Sequence, residues 1–125
     1  MNEAAGRRVR LGRVAAMIPV RDIHRSHDFY AAVFGFEKTF ENGDPVGFMI
    51  LENGRAELHL TLQPEHPAAP FNVAHMMVED ATALYATCRH HGVRIVKPLQ
   101  DKDYGLRAFV FADPDGNRID VGEAI

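Results

Sequence analysis

The apolar and polar positions along the chain follow the same order of patterns twice. An apolar run ends at Val20, a segment with helical spacing follows Asp22, and three further apolar runs come after it. The same order begins again around Val78, which stands 58 residues after Val20. A repeat of this kind indicates two similar supersecondary units that bury their apolar faces against each other or against a partner.

The first unit, residues 13–62, is predicted to be β-α-β-β-β. Its opening run is rich in β-branched residues and lacks helical spacing, which favours a strand. Pro19 cannot donate to a strand ladder, so this strand is expected to have a free side. Asp22 stands where a helix N-cap belongs and Gly35 where that helix ends. Turns that contain Asn-Gly then separate three predicted strands, at residues 36–40, 46–51 and 55–62.

The second unit, residues 72–123, repeats this order after a linker of residues 63–71 that contains three prolines. Its helix is predicted from Asp80 to His91, and a tight turn at 113–116 precedes the last strand. The predicted strands lie near residues 72–78, 93–99, 106–112 and 117–122. Two such units predict an α+β domain with helices on one side of curved, antiparallel-rich sheets.

Composition and charge narrow the classes of function. A chain of 125 residues fits one domain, and a net charge of −3 with interspersed charges argues against nucleic-acid binding. Residues 1–12 are locally basic and are expected to form a flexible arm rather than a secretory signal. No apolar run in the sequence is long enough to predict a membrane-spanning segment. The single Cys88 cannot form an internal disulfide, which fits a cytoplasmic protein with a buried, inert thiol.

Two stretches of the chain resemble the glyoxalase / bleomycin-resistance / extradiol-dioxygenase superfamily, also called the vicinal oxygen chelate superfamily. Residues 104–120, which include Asp113-Pro114-Asp115-Gly116, resemble its terminal strand-turn-strand, and residues 28–36 resemble its first helix. The resemblance covers roughly residues 13–123. It implies a cupped half-barrel with a cavity, and homodimers whose subunits share or exchange halves.

The resemblance also implies where a catalytic metal would be held. The matching positions are Ala15, His59, Val73 and Asp120, of which the first and third cannot coordinate a metal. A catalytic divalent ion normally needs at least three protein ligands. His75 lies two residues beyond Val73 and on the same strand face, so His59, His75 and Asp120 could form a set for iron, manganese or zinc. The shift along the strand, about 6–7 Å, argues against that set.

The first functional hypothesis is therefore a metal-free binding protein without a cofactor, which sequesters an aromatic or cationic small molecule. Such a site needs a concave apolar lining with a few polar anchors, and no catalytic residue. Asp120 would suit a cationic ligand, and the lack of Trp leaves stacking to Phe and Tyr. The candidate lining residues are Met17, Phe48, His59, His75, Tyr104, Arg107, Phe109 and Asp120.

The alternative is a lyase, isomerase or dioxygenase that depends on a divalent metal. In that case His59, His75 and Asp120 would hold the ion, and Tyr104 or Arg107 would orient the substrate. Other chemistries lack their signatures, since the sequence has no Gly-rich phosphate cradle, no Cys pair and no recognisable Ser-His-Asp arrangement.

Overall fold

The computed structural model describes residues 5–125, which contain two helices and eight strands. In chain order these elements are β1 (Ala16–Val20), α1 (Ile23–Phe34), β2 (Glu37–Asn42), β3 (Phe48–Asn53), β4 (Ala56–Leu62), β5 (Asn72–Met77), α2 (Ala81–His90), β6 (Arg94–Asp101), β7 (Leu106–Ala112) and β8 (Arg118–Ala124).

The strands form two open, four-stranded sheets of identical topology. The first sheet has the order β1-β4-β3-β2 and the second the order β5-β8-β7-β6. In each, the first strand of the unit pairs in parallel with the last, and the other pairs are antiparallel. The predicted α+β class and the two β-α-β-β-β units are confirmed. Pro19 lies in β1, an edge strand of the first sheet, as expected.

An Asp caps the N-terminus of each helix: Asp22, the predicted N-cap of α1, and Asp80, the predicted first residue of α2. The Asp22 carboxylate accepts a hydrogen bond from the Arg25 backbone N–H at 3.0 Å, and the Asp80 carboxylate accepts one from the Ala83 N–H at 2.9 Å. Gly35 ends α1 with a φ of 68°, a left-handed conformation that other residues adopt only at a cost. Local sequence signals therefore set the helix boundaries.

Helix α1 lies between the two sheets. It packs on β3 and β4, whose residues facing it are buried. Its other side reaches the second sheet, where the Phe34 ring stacks on Phe111 with 4.5 Å between centroids. The Tyr30 hydroxyl donates to the Asp113 carboxylate at 2.8 Å. The buried apolar residues of both units consequently form one core.

The turn between β7 and β8 joins the units through buried polar groups. Asp113 Oδ1 accepts hydrogen bonds from the backbone N–H groups of Asp115 and Asn117, each at 2.9 Å. Asp115 accepts from the Ser26 hydroxyl and the Arg25 guanidinium of α1. Burial raises the pKa of the Asp113 carboxyl despite the hydrogen bonds that it accepts. The tight turn expected from the sequence therefore also ties the second unit to α1.

The segment before β1 forms no helix or strand over residues 5–12 and is exposed there. Residues 1–4 of the predicted arm lie outside the described residues. Within residues 5–125, neither helix is long and apolar enough to cross a membrane.

Candidate functional site

A groove of about 680 Å³ runs along the seam between the edge strands β1 and β5. This volume falls in the usual range for small-molecule sites, roughly 300–1,000 Å³. Phe36 and Phe111 contribute to its apolar lining. Its polar and sulfur-containing lining includes Arg13, Glu52, Glu57, His75 and Met77.

The face of the first sheet that points away from α1 carries three of the predicted lining residues. Side chains alternate along a strand, so the buried Leu58 and Leu60 face α1 and His59 faces outward. Met17 is the register partner of His59 on the neighbouring strand. The Phe48 ring meets the His59 ring edge-on, with 5.4 Å between centroids. The structure therefore brings Met17, Phe48 and His59 together.

Glu57 lies next to this cluster and connects it to the groove. His59 Nε2 donates to Glu57 Oε2 at 2.7 Å, and Arg13 Nε lies 2.7 Å from Glu57 Oε1. The pKa of the Glu57 carboxyl is lowered, first by the hydrogen bond from His59 and also by the charge of Arg13. Glu57 was not among the residues predicted from the sequence.

The corresponding face of the second sheet carries His75 and Asp120. His75 Nδ1 donates to Asp120 Oδ2 at 2.6 Å, while Nε2 lies 3.2 Å from Met77 Sδ. A Cβ at Gly122 would lie only 3.3 Å from His75 Cε1, so the small residue lets the imidazole ring lie close to β8. The structure therefore pairs these two predicted residues with each other.

Three predicted lining residues lie elsewhere. Phe109 is 1% exposed and packs beneath α2, with its ring 5.2 Å from that of Tyr85. Arg107 shares that side of β7 and binds Asp101, with Nε 2.7 Å from Oδ1. Tyr104 is 67% exposed in the turn between β6 and β7. Arg107 and Phe109 thus stand on the opposite side of the second sheet from His75 and Asp120.

The metal ligands of the alternative hypothesis are not assembled within one chain. His75 and Asp120 are neighbours, but His59 lies on the other sheet and binds Glu57. Within residues 5–125, no three His, Cys, Asp or Glu side chains lie close enough together to hold a metal ion. The residues of a single chain therefore do not fit a three-ligand divalent centre.

Sequence reasoning missed Glu57 because the run of residues 55–62 was interpreted as a generally apolar strand. The strand in fact alternates, with Leu58 and Leu60 buried and Glu57, His59 and Thr61 on the other face. That alternation is visible in the sequence and could have directed attention to a carboxylate on the face of His59. No comparable sequence pattern indicates that Arg13 contacts Glu57.

Comparison with known proteins identifies the family of the chain. The family model described as the Glyoxalase/Bleomycin resistance protein/Dioxygenase superfamily matches residues 10–121. No curated protein sequence matches the chain significantly.

Solved structures share the whole fold. A superfamily member from Sphaerobacter thermophilus DSM 20745 is 28% identical, with a TM-score of 0.77 over 90% of this chain and 98% of that one. A bleomycin resistance determinant encoded on the transposon Tn5 is 22% identical, with a TM-score of 0.78 over 91% and 98%. A bleomycin-binding protein in complex with bleomycin is 22% identical, with a TM-score of 0.77 over 92% and 100%. On the family match across nearly its whole length, the chain belongs to the glyoxalase/bleomycin resistance protein/dioxygenase superfamily.

Proposed function

We propose that this protein is a metal-free, cytoplasmic binding protein that sequesters an aromatic or cationic small molecule in a cavity at a homodimer interface. The observation that carries the proposal is the pair of uncovered sheet faces with apolar and polar side chains side by side. Met17 and Phe48 adjoin His59 on one face, and His75 binds Asp120 on the other. Apolar surface with a few polar anchors suits a small-molecule site.

The position of α1 supports the proposed homodimer. Because this helix lies between the sheets, the outward faces border only an open groove within residues 5–125 of one chain. The outward face of one copy can close over the outward face of another. Half-exposed apolar side chains at Met17, Phe40 and Met77, which are 56%, 50% and 53% exposed, would then be covered.

Sequestration is favoured over metal catalysis by the ligand positions. Ala15 and Val73 offer no donor atoms, and within one chain His59 is separated from the His75–Asp120 pair. Binding needs no reacting group, since affinity comes from burial of the ligand and from a few placed polar contacts. A structurally similar bleomycin-binding protein holds bleomycin, which supports a binding role for this fold.

The test begins with the metal content of protein purified without a metal-affinity tag. We expect no stoichiometric ion and no rise in melting temperature when Mn²⁺, Fe²⁺, Ni²⁺ or Zn²⁺ is added. Binding of a ligand to the folded state alone raises the melting temperature by mass action. A panel of aromatic and cationic compounds should contain members that raise it, and Phe48→Ala should weaken their effect.

The His59→Ala variant and its control distinguish the alternative. His66 is an exposed histidine of the linker, so His66→Ala controls for loss of any imidazole. A stoichiometric ion that is lost in His59→Ala and retained in His66→Ala would refute the metal-free proposal. That result would favour a metal-dependent lyase, isomerase or dioxygenase.

A further inference from the structure

We infer that Glu57 anchors the cationic group of the ligand and that Arg13 occupies the position of that group in the free chain. This inference rests on the proposed binding function and specifies which residue selects the ligand. It also assigns a function to the segment before β1, which would cover the anchor until a ligand displaces it.

The state of the Glu57 carboxylate is the first observation. Its side chain is only 6% exposed, and one oxygen, Oε2, accepts a hydrogen bond from His59. The other oxygen, Oε1, is buried and accepts no hydrogen bond from any group in residues 5–125. Buried polar atoms are nearly always paired, and leaving a charged one without a donor is costly. Oε1 therefore marks a place where a donor is missing.

The contact with Arg13 only partly compensates for the missing hydrogen bond at Oε1. The guanidinium Nε lies 2.7 Å from Oε1, yet its N–H is not directed so as to form a hydrogen bond. The Arg13 side chain is 76% exposed and belongs to a segment without helix or strand. Because the Arg13 side chain is largely solvated, water screens its charge and ordering it costs entropy, which weakens this ion pair. A ligand cation with a well-directed N–H can therefore displace Arg13.

The surroundings of Glu57 define the class of ligand. Glu52 is its register partner on β3 and also lines the groove, which adds a second carboxylate. The same groove is lined by the apolar ring of Phe36 and by the flexible, polarisable side chains of Met76 and Met77. The groove therefore suits an ammonium or amidinium attached to an apolar, ring-containing body.

Asp120 is a weaker candidate for the main anchor. Its side chain is 29% exposed, and His75 already donates to it. A partly solvated carboxylate keeps water as an alternative partner, whereas the buried Oε1 of Glu57 does not. Loss of the contact with the ligand cation should therefore weaken binding more at Glu57 than at Asp120.

The experiment compares benzamidine, a cationic probe, with benzamide, which has nearly the same shape and no charge. Binding of each is measured by titration calorimetry at neutral pH to the unaltered protein, Glu57→Gln, Arg13→Ala and Arg10→Ala. Arg10 is an exposed arginine of the same segment, and it serves as the matched control.

We expect the unaltered protein to bind benzamidine more tightly than benzamide. Arg13→Ala should tighten benzamidine binding about threefold, the effect of removing a weakly held competitor for Glu57. The same change should leave benzamide unaffected, and Arg10→Ala should affect neither probe. Glu57→Gln should abolish the preference for benzamidine while its melting temperature shows that it folds.

The outcomes separate the two proposals. If both probes bind equally well to the unaltered protein and to Glu57→Gln, the role of Glu57 is refuted and the groove remains a binding site. Unchanged benzamidine affinity in Arg13→Ala refutes the part of the inference that concerns Arg13. If neither probe binds any of the four proteins although other compounds of the panel bind, the inference about Glu57 fails, and if no compound of the panel binds either, the proposed binding function itself fails. Should Glu57→Gln not fold, the comparison of Arg13→Ala with Arg10→Ala still tests the inference.

Discussion

At the scale of single residues, burial decides what each reactive side chain can do. Cys88 is fully buried, and burial raises the pKa of its thiol to about 11. It is consequently a structural residue, as its place in the helical pattern indicates. Glu57 shows the opposite effect, since a donor and a nearby cation lower the pKa of its carboxyl below the usual 4.5.

The lowered pKa of Glu57 predicts a pH-dependent contribution to stability. A carboxyl whose pKa is lower in the folded state stabilises that state when ionised. This contribution is present above pH 4.5 and is lost as the pH falls through the folded-state pKa. Below pH 4.5, the melting temperature of the unaltered protein should therefore fall relative to that of Glu57→Gln. A difference that is constant from neutral pH to strongly acidic pH would contradict the prediction.

At the scale of elements, the two halves use the same local devices. Asp22 and Asp80 cap the two helices with equivalent side-chain hydrogen bonds, and Gly35 ends the first helix. The apolar runs of the sequence mark where the strands lie. Some edge strands, however, continue through polar residues beyond the ends of those runs. Strand β2 is exposed along its whole length and runs to Asn42, two residues past the predicted end. Backbone pairing with β3, rather than apolar character, maintains those residues in the strand.

Removal of the first helix cap should lower the stability of the whole domain. Asp22→Ala leaves the Arg25 N–H without its side-chain acceptor, and we expect a loss of about 1 kcal/mol in the free energy of unfolding. Chemical denaturation measures this loss. Asp28→Ala, at an exposed position in the middle of α1, is the control and should change stability by less than about 0.5 kcal/mol. Equal effects of the two substitutions would contradict a capping role.

At the scale of the whole molecule, α1 determines which surfaces remain available. It fills the space between the sheets, where Phe34 stacks on Phe111 and Tyr30 binds Asp113. The outward sheet faces, with the predicted residues Met17, His59 and His75, stay uncovered. The proposed ligand cavity therefore depends on assembly as well as on the fold of one chain.

Assembly through these faces predicts a dimer that one charge can disrupt. The unaltered protein should sediment as a dimer of the 14.0 kDa chain. Met17→Glu places a carboxylate on a 56% exposed apolar position of the outward face, and it should shift the equilibrium towards monomer. Ala86→Glu, on the exposed side of α2, is the control and should leave the dimer intact. A monomeric unaltered protein, or a dimer insensitive to Met17→Glu, would refute assembly through this face.

The sequence by itself determined the elements, their order, the helix caps and the superfamily, because these depend on periodicity, capping and turn residues within short stretches of chain. It also indicated that His59, His75 and Asp120 are residues of interest. Only the tertiary structure decided their partners. Contacts such as Tyr30 with Asp113, 83 residues apart, place α1 between the sheets and send His59 and His75 to separate faces. The same packing turned Phe109 into the core and left one Glu57 oxygen without a hydrogen bond from residues 5–125, because burial of a strand face depends on distant elements.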